Sequence, residues 1–290
     1  MLIYSWLIAP FLEFEFMRRG LVGVFALAIG AGPVGVVLML RRMSLMGDAM
    51  AHAILPGAAI GFMVAGLNLF ALTFGGLVAG ILVALLAGLV ARATQLKEDA
   101  ALAAFFLVSL ALGVTIVSLR GSNVDLLHFL FGSVLALDNP TLVLMATIAS
   151  VSLVVLSLIW RPLVLECVDP GFLRSVSRSG PVAHTLFLAL VVLNLVGAFH
   201  ALGTLLAVGV MMLPAVASRF WARDLTLMIF ISIGFGLLSG YMGLLLSFHT
   251  AVPAGPAVII VAGAAYVGSL VFGPVGGFAR QLFPGQHLEA

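Results

Sequence analysis

The chain has 290 residues, 63% of them hydrophobic and only 8% charged, with a mean hydropathy of +1.28. Soluble domains carry about 25% charged residues, so this composition excludes a soluble enzyme. It points to an all-α, polytopic membrane bundle, with residues 1–290 forming one transmembrane unit. The net charge of +2 comes from 13 basic and 11 acidic residues and calls for no nucleic-acid partner. A single cysteine, Cys167, excludes an intramolecular disulfide and any Cys-pair metal site.

Residues 1–16 contain Glu13 and Glu15 and lack the basic start of a cleaved signal peptide. The first 17 residues are expected to form an interfacial helix. A spanning helix needs about 20 apolar residues. Residues 21–40 supply one span. Residues 43–91 supply two, with a break near Gly66-Leu-Asn68, and residues 100–119 and 139–160 supply one each. Residues 181–218 are tight for two spans and are expected to bend near 200–203. Residues 225–279 hold two, split around 249–256. The count is nine, or eight if 181–218 does not cross fully twice.

The positive-inside rule tests this alternation. With nine spans beginning outside, Arg41, Arg42, Arg92, Lys97, Arg161, Arg174, Arg178, Arg219, Arg223 and Arg280 face the cytoplasm, and Arg18, Arg19 and Arg120 do not.

Two segments do not fit simple spans. Residues 121–138 are too short to cross, contain Asp125 and His128, and are expected to dip inward from the outer side, as protein-lined or wet cavities allow. Residues 161–180 form a cytoplasmic segment. There Asp169 is placed to cap a short helix with Pro170 at its first position and Gly180 at its end. Such a helix suits docking of a soluble partner. The pairs Gly57/Gly61, Gly76/Gly80 and Gly236/Gly240 have helix-packing spacing.

Chemistry concentrates on Asp48 and His52, the only ionisable residues between Met43 and Ala91. Four residues apart, they share a helix face about one turn apart. Topology puts them about 10–16 Å past Arg41-Arg42 at 1.5 Å per residue. Intramembrane ionisable groups mark transport paths or relays, and a carboxylate with an imidazole can bind a divalent transition metal. The bland alternative is that the two satisfy each other and fix helix register. Pro56 follows one turn later and bends the helix. Asp125 could complete the ligand set, or be an outer loop residue like His128. His200 and His249 lie at outer turns, where the alternatives are interfacial histidines or a role at the outer mouth. Pro214 is expected to kink its helix. There is no G-x-x-x-x-G-K-[ST], so the chain cannot bind ATP through a P-loop, and neither H-E-x-x-H nor G-x-S-x-G supports a protease.

Arg41-Arg-Met-Ser-Leu-Met-Gly-Asp-Ala-Met-Ala-His-Ala-Ile-Leu-Pro-Gly57 resembles the signature of the zinc/manganese/iron ABC importer permeases, the ABC-3 family. Gly121-Ser-Asn-Val-Asp-Leu-Leu-His-Phe-Leu-Phe-Gly132 is similar to a second family motif. Met212-Leu-Pro-Ala-Val-Ala-Ser218 and Pro253-Ala-Gly-Pro-Ala257 resemble two later ones, and Asp169–Gly180 falls where the family has its cytoplasmic coupling helix. The resemblance runs from about Phe16 to Gly273. It implies a type II ABC importer-like fold and a permease homodimer in the bacterial cytoplasmic membrane. Its partners would be a cytoplasmic ATP-binding subunit and an extracytoplasmic metal-binding protein. It places Asp48, His52 and Asp125 on the metal path and implies no permanent cofactor. One departure is His200, where many relatives carry Gln.

The cargo implied is zinc, slightly favoured by the available histidines, or manganese, with ferrous or chelated iron as an alternative. A rival from another class is a secondary metal transporter or channel working without an ATPase. A membrane metalloprotease is the further rival.

Overall fold

The computed structural model describes residues 2–43, 45–66, 68–119, 137–169, 172–173 and 179–278. The longer helices of these segments are α3 (Glu15–Leu40), α6 (Leu69–Ala93), α7 (Glu98–Leu119), α8 (Asn139–Leu158), α10 (Ser179–Ser218), α11 (Leu225–Thr250) and α12 (Ala254–Phe272). Shorter ones are α1 (Leu2–Leu7), α2 (Ala9–Glu13), α4 (Met46–Ala53), α5 (Leu55–Ala65) and α9 (Trp160–Val168). Eight helical stretches among the described residues are long and apolar enough to cross a membrane, α4 and α5 counting as one, Met46–Ala65.

The first span starts earlier than hydropathy alone suggests. Phe14 is extended (φ −109°, ψ 119°) and separates α2 from α3. Arg18 and Arg19 therefore lie inside the helix rather than before it. Arg19 pairs one turn back with Glu15 at 2.6 Å, which offsets a charge that would otherwise shorten the span. The expected break near Gly66 is present. Gly66 has φ 63°, a left-handed value that suits glycine. Asn68 then caps α6, its side-chain oxygen accepting from the N–H groups of Phe70 and Ala71 at 3.0 and 3.3 Å.

The small-residue pairs are contact points. Gly57 faces the Gly75 backbone and Gly61 faces Ala71, so α5 and α6 touch main chain to main chain. Gly76 and Gly80 receive Ile54 and Val192, while Gly236 and Gly240 sit against Ala28 and Val24. Where no hydrophobic force separates helix from lipid, such close packing is what holds a bundle together. One polar clasp lies inside: the Asn194 amide donates to Ser152 Oγ at 2.7 Å and to the Leu190 carbonyl at 2.9 Å.

Helix α10 contains the main departure from regularity. Gly203 has φ 79° and ψ 162° within an otherwise continuous helical run. Before it, Phe187 lies under the Arg41 guanidinium and Asn194 beside Gly30, so the limb Ser179–Phe199 runs antiparallel to α3. After it, Gly209 faces Ile259, Met211 faces Gly35, and Trp221 Nε1 donates to Ser269 Oγ at 2.9 Å. The limb Gly203–Ser218 thus returns toward the Arg41 end, parallel to α3 and α12. Its 16 residues span about 24 Å, short of the roughly 30 Å hydrocarbon core. One full-length span and one short return limb therefore occupy the stretch that the sequence left open, giving eight full-length spans and one short limb among the described residues.

Helices α1 and α2 are two short pieces rather than one helix over residues 1–17. They seat on the α11 end far from Arg41. Tyr241 Oη donates to the Leu7 carbonyl at 2.8 Å, and Phe11 stacks on Tyr241 with centroids 5.0 Å apart.

Candidate functional site

Asp48 and His52 lie on α4. The turn before it is tight: Arg42 has φ 60°, and the Met43 N–H donates to the Leu38 carbonyl at 3.0 Å. Gly47 packs against Met211, which in turn faces Gly35, five residues inside the end of α3. That level is about 7.5 Å in, which puts Asp48 and His52 at depths of roughly 9 and 15 Å.

The two side chains do meet. His52 Nε2 is 3.8 Å from Asp48 Oδ1, too long for a hydrogen bond. Asp48 is 67% exposed and His52 26%. The imidazole leans on the Phe106 ring of α7, centroids 6.2 Å apart. Pro56 has no N–H to give the His52 carbonyl, and the next carbonyl, of Ala53, accepts from Ser109 Oγ of α7 at 3.0 Å. Helix α4 is thereby fixed to α7 on one side while its Asp48 face stays open on the other. Self-satisfaction is a poor account of this pair, because a contact between buried partners would be shorter and drier.

Among the described residues no group of three His, Cys, Asp or Glu is arranged to hold an ion. Asp48 and His52 stand as a pair of potential ligands with no third beside them among the described residues. Asp125 and His128 lie outside the described residues. His200 belongs to α10, but its side chain is not among those described. His249 is otherwise engaged: its Nε2 lies 3.1 Å from the Trp6 carbonyl, and its ring stacks on Trp6 with centroids 4.1 Å apart.

In the 161–180 segment Asp169 follows α9 and accepts the Phe172 N–H at 2.9 Å, the expected capping geometry. Pro170 lies outside the described residues. Gly180 does not end that short helix. It is the second residue of α10, and its missing side chain lets Leu173 approach. Burial pushes the Cys167 thiol above its ordinary range, Arg41 pulling the other way and Glu166 adding to the rise. A protonated thiol is a poor metal ligand at neutral pH.

Sequence reasoning missed two charge pairs at the Arg41 end. Arg41 Nη2 is 3.1 Å from Glu166 Oε1, and His184 Nε2 is 2.9 Å from Glu98 Oε1. A signal existed, since Glu166 is a lone acid among the apolar residues of α9.

A bundle of eight helices of membrane-spanning length, with an Asp/His pair on one face of α4, has the make-up of a membrane permease subunit. The chain belongs to the ABC 3 transport family, whose model matches residues 13–273. Over the residues matched it is the membrane permease subunit of that family. It is 32% identical over 262 residues to the manganese import system permease protein ScaB of Streptococcus parasanguinis, covering 90% of this chain and 92% of that one. It is 30% identical over 279 residues to the manganese transport system membrane protein MntC of Halalkalibacterium halodurans, covering 96% and 94%. A probable iron transport system membrane protein of Haemophilus influenzae is 28% identical over 273 residues, covering 94% and 99%. The solved structure of PsaBC from Streptococcus pneumoniae in complex with Fab superposes with a TM-score of 0.84 at 28% identity, covering 97% of this chain and 100% of that one.

Proposed function

We propose that this chain is the permease of an ATP-driven importer for a divalent first-row transition metal, with manganese first and ferrous iron second. The observation that carries the reading is the Asp48–His52 pair, open on one face and buried on the other. A dehydrated cation passing this level meets one carboxylate and one imidazole, a ligand mix that suits manganese, iron and zinc. The relatives above are named for manganese and iron. Zinc was favoured on the strength of several histidines near the path, and His249 is committed to Trp6, so zinc becomes the competitor. Asp125 is the proposed third ligand, with a second copy of the chain facing the open side. Asp169, Pro170 and Gly180 mark the segment that meets a cytoplasmic ATP-binding subunit. An extracytoplasmic metal-binding protein delivers the ion to the opposite end, where α1 and α2 lie at the membrane interface of the bacterial cytoplasmic membrane.

The test is reconstitution of the permease in vesicles with and without its ATPase subunit, with Mn2+, Fe2+ and Zn2+ compared. The expected result is ATP-dependent uptake, strongest for Mn2+. Uptake by the permease alone would replace this reading with a secondary transporter.

A further inference from the structure

The Arg41 end of the bundle carries an open pocket of about 920 Å³ whose lining includes Arg41, Lys97, Glu98, Glu166, Cys167 and His184. Helix α9 forms part of its wall and is loosely held, since only Leu163 of its nine residues is buried. Its charged tie to the bundle is Glu166, paired with Arg41 at 3.1 Å; the two side chains are 18% and 11% exposed. The Arg41 guanidinium also lies over the Phe187 ring, 5.6 Å from its centroid, in cation–π contact.

The pair is incomplete. Arg41 Nη1 and Glu166 Oε2 are buried and have no hydrogen-bond partner among the described residues. A bidentate arginine–carboxylate pair makes two parallel bonds; this one makes one. Burying two charges costs desolvation that a single bond barely offsets. Such a pair suits a contact that must break and reform, and the adjoining pocket gives it room to do so.

Its place in the chain gives the contact a direction. Glu166 is three residues before Asp169, where the 169–180 segment begins. Arg41 is five residues before Met46, the first residue of the helix that bears Asp48 and His52. Met43 links the two helix ends, its N–H donating to the Leu38 carbonyl and its carbonyl accepting the Met46 N–H, each at 3.0 Å. Resting on the reading of the chain as an ATP-driven importer, we infer that Arg41 and Glu166 are a positioning pair that passes displacement of the 169–180 segment to the Asp48–His52 helix. The pair touches no metal; it acts by where it holds α4.

The experiment uses the full transporter, permease with its ATPase subunit, in vesicles, and measures Mn2+ uptake and phosphate release on the same samples. Glu166→Gln is expected to lower the metal moved per ATP hydrolysed by about 2- to 30-fold, the range of coupling changes expected along such a path, while ATP hydrolysis continues. Exchange of the two charges, Arg41→Glu with Glu166→Arg, is expected to recover most of the ratio. The apolar pair Arg41→Met with Glu166→Met guards against a failure of that exchange variant to fold. If it is monodisperse yet still poorly coupled, the positioning role stands. If it couples like wild type, or if Glu166→Gln lowers uptake and hydrolysis in equal proportion, the inference is overturned. Absence of any ATP-dependent Mn2+ uptake by the wild-type complex would instead reject the importer reading itself.

Discussion

Replacing Asp48 by Asn removes one charge and almost no volume, which separates a structural role from a transport role. At 3.8 Å the Coulomb attraction between Asp48 and a protonated His52 is about 1 kcal/mol in water. Asp48 is two-thirds exposed, and measured values for such pairs run from about 0 to 1 kcal/mol. The stability of Asp48→Asn is therefore expected to stay within about 1 kcal/mol of wild type, a shift of no more than roughly 4 °C in melting temperature. Transport should respond on another scale. Even partners one shell removed from a metal cost about 10- to 100-fold in affinity when mutated, and a direct ligand should cost at least that. The assay is Mn2+ uptake in vesicles, alongside a thermal melt of the same purified preparation. Wild-type uptake in a folded Asp48→Asn protein would refute the site. So would a loss of uptake matched by an equivalent loss of stability.

Two further outcomes follow from the geometry. A Cβ at Gly57 would run into the Gly75 carbonyl and lie 2.6 Å from Ala79 Cβ, and neither atom can swing aside; Gly57→Ala is expected to destabilise by about 1–3 kcal/mol, read as a lower melting temperature. Asp138, just outside its span, caps α8 through the Thr141 N–H at 3.0 Å, and hydrogen bonds from Thr141 hold its carboxyl below its ordinary value of 3.8. A depressed folded value means the stabilisation is present above the ordinary value and is lost as pH falls through the folded one. Asp138→Ala should cost about 1 kcal/mol at neutral pH, with the gap in melting temperature to wild type narrowing below about pH 4; a gap independent of pH would refute the capping account.

Much of the fold was legible because lipid imposes a simple demand: long apolar runs, broken by residues that tolerate turns. Gly66 and Asn68 announced their break chemically, and the glycine pairs announced close contacts. Asp48 and His52 stood out because nothing else near them ionises. What the sequence did not disclose depends on distance along the chain. Arg41 and Glu166 are 125 positions apart, and neither carries a local sign of the other. Gly180 misled because glycine serves two ends: it can stop a helix, and it can also let a neighbour such as Leu173 come close. His249 left two alternatives open, an interfacial histidine or a role at the outer mouth, and its contact with Trp6, 243 positions away, has no local sign in the sequence.

The reversal at Gly203 has a consequence for parity. With the short return limb included, the described helices run between the two ends of the bundle an odd number of times. Trp6 and the start of α3 sit at one end of the bundle, while Val275 sits at the other, its N–H donating to the Phe220 carbonyl at 2.8 Å. Reporters fused next to these two regions should light up in opposite compartments. One glycine with an unusual φ thus decides on which side everything downstream of it resides.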